Sequence, residues 1–599
     1  MLGLRRCYVS GAALLCALAL MGAVGLAIPA ETVGASLAQD RSDVASAPVA
    51  TPHSPLADAI RNRVEAAAGL PDRLAIRDER IQTAASVSVF YERRAYEPAW
   101  VTPEGLTANA RRLVDALAAA DADGLQPADY HVSELRAAIE QLDARVASPA
   151  TGRLVDVELL LTDGFLLFGT HLLIGRVDAA SLHSNWRAER RQRDLVESLD
   201  RAVREGNPRE VLHELRPPQP EYGRLMQALA VYREIAAAGG WPSVPEGGRL
   251  APGDESDRVP ALRARLAAVP EAVAGRDDLP ELYDAGTSYD EALVEAVEAF
   301  QRRHGLEADG VVGPATLAAL NASPVRRVRQ LTLNMERWRW LPQDLGDRHV
   351  LVNAADFRLD AVADGEVELT MRAIVGRQYR QTPVFSDRIT YIVFSPFWHV
   401  PHSLAVQDHL PIQKRDPDYF RRLGFRLFRG WGVDAAEVSP ASIDWSAVTA
   451  KSFGYRLRQD PGPQNFLGRA KFMFPNPYNV YLHDTPARDL FRKHVRNFSS
   501  GCIRLEDSRS LALWLLSGDS AWPDGRIDRA MRADSEETAF LTRPVPVHLL
   551  YWTAFVSDDG IVHFRPDIYE RDGRLADALA EPPAEVASTE ELTLGPSPS

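Results

Sequence analysis

The spacing of apolar residues changes character at about residue 325, and that change restricts the chain to a multidomain α+β fold. From about Ala84 to Gly240, Ala- and Leu-rich segments recur at helical spacing, including Asn109 to Ala120 and Ser133 to Leu142. After Val325 the apolar residues fall into short β-branched and aromatic runs: His349 to Asn353, Val367 to Ile374, Thr390 to Phe394 and Tyr478 to Leu482. Turn residues such as Asp364-Gly365 and Ser395-Pro396 bound them, so they read as strands. Val545 to Phe555 and Gly560 to Phe564 read as closing strands, and Ser508 to Leu516 as a helix capped by Asp507 or Ser508. A length of 599 residues supports three or four packed domains.

Between the helical and β-rich parts, a loop containing Gly247, Gly248, Pro252 and Gly253 leads into a smaller unit. There Leu293, Val297 and Phe300 share one helix face, Gly310 and Gly313 permit a tight turn, and Pro314 suits the first turn of a second helix. The most apolar stretch, Val157 to Gly175, is interrupted by Asp163 and flanked by Glu158 and Arg176. A membrane span needs about twenty uncharged residues, so the stretch is expected to be a buried helix, with His171 a core residue without a role.

The first residues read as an address. Arg5 and Arg6 precede an apolar run from Gly11 to Ile28, with small residues at Val33-Gly34-Ala35, as in a secretory signal peptide over 1–35. An uncleaved inner-membrane anchor is the alternative. Cleavage removes Cys7 and Cys16, leaving Cys502 alone and no pair for a disulfide within the chain. Residues 36–83 are rich in Ala, Ser, Pro and Asp and are expected to be a flexible linker, and 571–599 a disordered tail. The net charge of −14 argues against a nucleic-acid partner.

The chemistry-bearing stretch runs from Tyr481 to Glu506. An apolar approach delivers His483, and a Ser499-Ser500-Gly501-Cys502 turn follows with Arg504 two residues beyond. A thiol at its ordinary pKa of about 8.5 is mostly protonated at neutral pH, so an attacking cysteine needs a neighbouring imidazole or cation. His483 supplies the imidazole. Gly501 leaves room for backbone near a substrate carbonyl, amides of the turn are expected to form an oxyanion hole, and Arg504 to lower the thiol pKa or hold a carboxylate. His494 also lies in this stretch. His399, His402 and His409 are close in sequence, but Pro401 breaks the helix that would align them and no HExxH pairing follows, so no metal is expected.

His483-Asp484-Thr485, Ser499-Ser500-Gly501-Cys502 and Arg504 together resemble the signature of the L,D-transpeptidases (YkuD-type catalytic domain), cysteine enzymes that cross-link peptidoglycan. Asn334 to Pro342, Val375-Gly376-Arg377, Arg380 to Pro383 and Lys471 to Asn476 extend the likeness to the large periplasmic YcbB-like branch. Many family members carry His where this chain has Ser500. Phe90-Tyr91, Pro98-Ala99-Trp100 and Asp123-Gly124-Leu125 resemble that branch's scaffold region. Ala296, Phe300, Gln301, Gly305, Leu306, Asp309, Gly310, Gly313, Pro314, Thr316 and Leu317 resemble a small helical peptidoglycan-binding module.

The resemblance implies a helical scaffold domain over 84–245, a peptidoglycan-binding domain over 246–325, and a β-sandwich-like L,D-transpeptidase catalytic domain over 326–570. It implies a capping insert at about 402–468, although the tryptophans there are as well explained by a small satellite core. It also implies Cys502 as nucleophile and His483 as base, with Tyr481, Asp484, Ser500, Gly501 and Arg504 shaping the pocket, and no cofactor. Donor and acceptor stem peptides would be the partners, besides other wall-synthesis proteins, and carbapenems the inhibitors. The implied reaction joins two diaminopimelates through a Cys502 thioester with release of D-alanine in the periplasm, supporting wall organisation and cell shape. Hydrolysis, attachment of a protein to the wall, and a noncatalytic wall-binding scaffold are the alternatives.

Overall fold

The computed structural model describes residues 54–583, apart from 67–74, 77–78, 145–148, 183–189, 271–285, 431 and 433. The expected signal peptide and most of the linker therefore lie outside the described residues. The helical part comprises α1 (Pro55–Ala66), α2 (Ala84–Arg93), α3 (Ala108–Ala118), α4 (Val132–Asp143), α5 (Thr151–Ile174), α6 (Leu195–Glu205), α7 (Pro208–His213) and α8 (Pro220–Ala237). α3 starts where the Thr107 side chain accepts the Ala110 N–H, and it turns Leu113, Val114 and Leu117 inward.

α5 is the axis of this bundle and is buried on all sides from Val157 to Leu173, packed inside the helical core. Its polar residues are satisfied by neighbouring backbone and side chains. The Glu158 carboxylate accepts the N–H groups of Ala99, Trp100 and Val101 and the Tyr91 hydroxyl. Asp163 accepts from the Thr83 N–H and hydroxyl and meets the His131 ring. His171 bonds the Tyr130 hydroxyl at 3.0 Å, and burial drives its pKa down to about 3, in keeping with a core residue.

The small unit is built from α9 (Val259–Ala267), α10 (Glu291–Arg303) and α11 (Pro314–Leu320). Leu293, Val297 and Phe300 face its core, and Asp290 caps α10 on the Leu293 N–H. Gln301 ties the following turn together: its amide donates to Asp309, to the Val311 carbonyl and to Thr316, and accepts the Gly310 N–H. Much of the sequence motif here thus encodes the turn.

Helix α12 (Pro324–Arg339) joins the parts. Leu331, Met335 and Trp338 pack with Tyr222, Leu225 and Leu229 of α8 and with Trp552 and Phe564 near the chain's end. Polar anchors set its position. Arg339 bonds Glu336 at 2.6 Å and the Tyr222 hydroxyl, both ionic partners being buried, and also reaches the Asp123 carbonyl. Asn334 accepts the Thr553 N–H and donates to its hydroxyl.

The β-rich part contains β1 (Arg348–Asn353), β2 (Arg358–Ala363), β3 (Glu366–Ile374) and β4 (Phe385–Phe394). An insert follows with β5 (Trp398–His399), α13 (Leu410–Arg415), α14 (Tyr419–Arg422), β6 (Phe425–Arg429), β7 (Ala436–Val438) and β8 (Tyr455–Gln459). Then come β9 (Ala470–Met473), β10 (Leu482–His483), β11 (Ile503–Leu505), α15 (Ser508–Leu515), α16 (Asp524–Arg532), β12 (Glu537–Leu550), β13 (Ala554–Val556), β14 (Val562–Phe564) and α17 (Arg571–Ala580). Asp507 caps α15 on the Ser510 N–H.

The expected sandwich-like arrangement is realised as a closed barrel in the order β9-β10-β11-β3-β2-β1-β12-β4, because β4 pairs with both β9 and β12. The insert forms its own sheet, β7-β6-β8-β5, over an aromatic core containing Trp398, Phe420, Phe425 and Trp445. It therefore begins at about Trp398, and Trp445 closes a satellite core with Trp398, while Trp431 lies outside the described residues. Tyr481, on the barrel side, packs against that core.

Three expectations need correction. The linker contains α1, whose Leu56, Ile60 and Val64 recur every four residues and enter the bundle core. The tail begins later than 571, because α17 buries Leu575 and Ala576 against Leu333 and Trp340. The expected strand from Tyr478 starts only at Leu482, since the Asn476 side chain accepts the Tyr478 and Val480 N–H groups and holds a turn.

Glu336→Gln leaves Arg339 without its buried counter-charge, and the expected cost is about 3 kcal/mol of unfolding free energy. Urea denaturation of the exported form measures it, and an unchanged midpoint would show that the pair does not secure α12.

Candidate active site

The site is set by one short parallel pairing. β10 and β11 align Leu482 with Ile503 and His483 with Arg504. Leu482, Ile503 and Leu505 are completely buried in the barrel core. Alternation along the strands then places Tyr481, His483, Cys502 and Arg504 together on the opposite face, with adjacent strands about 4.8 Å apart. β9 lies on the other side of β10 and aligns Lys471 with His483, adding an ammonium to that face. Lys471 Nζ stands 4.0 Å over the Tyr481 ring.

The turn before Cys502 is held by β-like pairing to the segment after β3. The Ser499 N–H donates to the Val375 carbonyl at 2.9 Å, and the Arg377 N–H donates to the Ser499 carbonyl at 3.0 Å. Gly501 takes φ +117°, a conformation that favours glycine, and its carbonyl accepts the Thr382 hydroxyl at 2.9 Å. Gly376 passes so close to Arg380 that an added Cβ would lie 2.1 Å from the Arg380 carbonyl oxygen. Ser499 Oγ donates to the Cys502 carbonyl and accepts the Gly501 N–H. The Gly501 amide, expected to serve an oxyanion hole, is therefore already committed. The Ser500 and Cys502 N–H groups make no hydrogen bond among the described residues.

His483 has a defined tautomer. Its Nδ1 lies 2.5 Å from the Asp484 carbonyl oxygen, which can only accept, so Nδ1 carries the proton and Nε2 presents a lone pair. Burial and then the Arg504 charge drive the imidazole pKa down to about 3. Cys502 is half-buried, with Sγ 3.7 Å from the Asn479 carbonyl oxygen. Burial pushes its pKa up, opposed by the Tyr481 N–H, the Lys471 charge, the Tyr481 hydroxyl and the Arg504 charge. At neutral pH the resting pair is thus a neutral thiol and a neutral imidazole.

Arg504 is held below the usual guanidinium range by burial and then by the Arg377 charge, and its Nε is buried without a hydrogen-bond partner. Arg377, Arg504 and Lys471 together make this face strongly cationic. Ser500 Oγ accepts from Arg380 at 3.0 Å, and the same guanidinium pairs with Asp408 and Gln407 in the π-helical turn Ala405–His409 of the insert. Ser500 is thus the point where the catalytic turn meets the insert.

Not every expected pocket residue faces this cleft. The Asp484 carboxylate accepts the Arg469 N–H at 2.8 Å and pairs with Arg488, so it fastens the strand and does not shape the pocket. His494 bonds the Gly305 carbonyl of the small helical unit. His409 bonds the Tyr419 hydroxyl inside the insert core. Lys471, Arg377, Arg380 and Thr382 join the site as well, and the sequence marks them only as parts of motif-bearing stretches.

Residues 347–526 match the family model described as "L,D-transpeptidase catalytic domain" (YkuD), residues 85–229 match "Scaffold domain", and residues 256–320 match "Putative peptidoglycan binding domain". A protein of Haemophilus influenzae named "Putative L,D-transpeptidase" is 36% identical over 249 residues, 41% of this chain and 49% of that relative. The match thus spans about half the relative's length. Two solved structures align at low similarity. An L,D-transpeptidase from Xylanimonas cellulosilytica has 18% identity and TM-score 0.16, covering 51% of this chain and 98% of that chain. One from Stackebrandtia nassauensis has 14% identity and TM-score 0.20, covering 52% of this chain and 96% of that chain. His483, Cys502 and the strands that carry them all lie within 347–526, and the chain thus carries a YkuD-type L,D-transpeptidase catalytic domain preceded by scaffold and peptidoglycan-binding domains.

Proposed function

We propose that this protein is a peptidoglycan L,D-transpeptidase that joins two diaminopimelates through a thioester on Cys502. The observation that carries this reading is the shared face of His483 and Cys502, set by the β10–β11 register inside the matched catalytic domain. Cys502 Sγ attacks the carbonyl that links the L-centre of diaminopimelate to terminal D-alanine. The thiol proton passes to His483 Nε2 and then to the departing amine, so D-alanine leaves and a thioester remains. The side-chain amine of a second diaminopimelate attacks that thioester and gives up its proton through His483, and Cys502 is regenerated as a thiol.

The N–H groups of Ser500 and Cys502 are the free donors suited to the oxyanion, and Arg504 with Arg377 suits a substrate carboxylate. Peptidoglycan-acting domains point to a cell-wall compartment, and export by the 1–35 segment would deliver the chain there. Carbapenems would acylate the same sulfur. A noncatalytic wall-binding scaffold is disfavoured by the ordered His483 tautomer beside an accessible thiol.

Mass spectrometry of the exported form with a tetrapeptide muropeptide tests the reaction. The wild type is expected to give a cross-linked dimer lacking one D-alanine, Cys502→Ala none, and His483→Ala a rate lower by roughly 10²–10⁴-fold. Tripeptide alone would mean that water is the acceptor. Identical unreacted material from wild type and Cys502→Ala would reject the enzyme reading.

The neutral resting pair predicts a pH profile. Cys502 alkylation by iodoacetamide should climb through the alkaline range, as pH rises through a raised thiol pKa. It should lack the plateau from about pH 4 to 8 that a thiolate–imidazolium pair gives. Lys471→Met removes a charge that stabilises thiolate and should move the climb to higher pH. A plateau in the acid range would contradict the neutral pair.

A further inference from the structure

The two amides suited to an oxyanion, those of Ser500 and Cys502, belong to peptide groups whose carbonyls are both gripped by the loop 376–382 that follows β3. The Ser499 carbonyl accepts the Arg377 N–H at 3.0 Å, and the Gly501 carbonyl accepts the Thr382 hydroxyl at 2.9 Å. A trans peptide group is planar, with its N–H pointing away from its C=O. Holding the Ser499 carbonyl therefore aims the Ser500 N–H, and holding the Gly501 carbonyl aims the Cys502 N–H. Gly501 needs that hold, because a glycine at φ +117° has no side chain to limit its rotation.

Thr382 is 1% exposed, and its hydroxyl is committed in both directions: it donates to Gly501 and accepts the Gly376 N–H at 2.9 Å. Its rotation is thereby fixed. The loop is fastened on two sides. On one, the Tyr569 hydroxyl donates to the Gly376 carbonyl at 2.7 Å, and Arg571 donates to Gln381 Oε1 at 2.8 Å and to the Thr382 carbonyl at 3.0 Å. On the other, Arg380 pairs with both oxygens of Asp408 in the insert, at 2.5 and 2.9 Å, and reaches Ser500 Oγ with the same guanidinium. Neither Thr382 nor Arg380 hydrogen-bonds the Cys502 thiol or the His483 imidazole. Their influence on the reacting groups must pass through the backbone of the turn.

We propose that Thr382 is a positioning residue, which orients the Cys502 amide toward the oxygen of the tetrahedral intermediate, and that Arg380 locks the loop carrying it to the insert. The wall peptide as substrate rests on the proposed function, while the hold on the two amides rests on the loop. When Cys502 Sγ attacks, the carbonyl oxygen gains negative charge, and donors stabilise it only if they already point to where it forms. Thr382 exchanges no proton in this step, since the thiol proton travels by His483. The insert, through Asp408, thereby belongs to the catalytic apparatus.

Three readouts on the exported form test this: D-alanine release from a tetrapeptide muropeptide, acylation of Cys502 by p-nitrophenyl acetate, and alkylation of Cys502 by iodoacetamide. Oxyanion donors assist attack at a carbonyl but not alkylation at a saturated carbon. Thr382→Val is expected to lower kcat and the acylation rate roughly 10–100-fold. KM and the alkylation rate should stay within about twofold, because the lost interaction is made only in the transition state. Thr382→Ser keeps the hydroxyl and should restore most of the acylation rate. Arg380→Gln, on the rim of the loop, should show the same split and decides the matter if Thr382→Val does not fold. Unchanged acylation overturns the inference. So does an alkylation loss that matches the acylation loss, or a Thr382→Ser variant as slow as Thr382→Val. Thr382-dependent acylation by the ester without any D-alanine release from the wild type would support the positioning role and reject the transferase reading. D-Alanine release that Thr382→Val leaves unchanged would do the reverse.

Discussion

The parallel contact between β10 and β11 is the interaction on which the catalytic face depends. β10 is only two residues long, so its register is fixed by its neighbours and by the burial of Leu482 and Ile503. A slip of one residue would turn His483 toward the barrel core and Leu482 toward solvent, which the hydrophobic term alone forbids. Closure of the barrel removes the freedom to slip, because β9 and β3 bracket the pair on either side. The Asp484 carboxylate adds a local clasp through the Arg469 N–H. Its role is to hold the strand that presents the imidazole, and the Asp484 carbonyl, not the carboxylate, chooses the tautomer.

The same face shows how burial and charge oppose one another. Desolvation raises the thiol and lowers the imidazole, so both are neutral at rest. Arg504, Arg377 and Lys471 cannot reverse that balance for the free thiol, but they favour negative charge once it develops on sulfur or on a substrate oxygen. Burying cations without carboxylates costs stability, and this face bears such a cost. A substrate carboxylate would offset it.

Farther out, α12 plays for the whole chain the part that β10 plays for the site. Its apolar side unites the helical bundle with the end of the barrel domain, and its polar anchors fix the rotation about its axis. An amphipathic stripe alone would tolerate rotation by a residue. The bonds that Glu336 makes to the Val177 N–H, Arg339 to Tyr222 and the Asp123 carbonyl, and Asn334 to Thr553 do not, since rotation would leave these buried polar groups unsatisfied. The insert is different in kind. It has its own aromatic core and also meets the catalytic turn through a polar chain, Asp408 to Arg380 to Ser500.

By itself the sequence determined the order of helical, small helical and β-rich parts, because each period reports which face of an element must be buried. It also marked His483 and Cys502 as the candidate base and nucleophile that we propose, since both lie in one polar, glycine-containing stretch. Residues within a turn's reach were legible in the same way, as with Gly310 and Pro314 of the small unit. Only the tertiary structure decided which groups join the site from afar. Lys471 arrives through β9, Arg377 and Thr382 through the segment after β3, and Arg380 through its bond to Ser500. It likewise decided that the Gly501 N–H is occupied, that Asp484 faces away, and that α1 and α17 are helices docked on distant partners. The physical reason is that periodicity and turn chemistry are local. Strand register, barrel closure and the fate of a buried charge are settled by groups far apart in the chain.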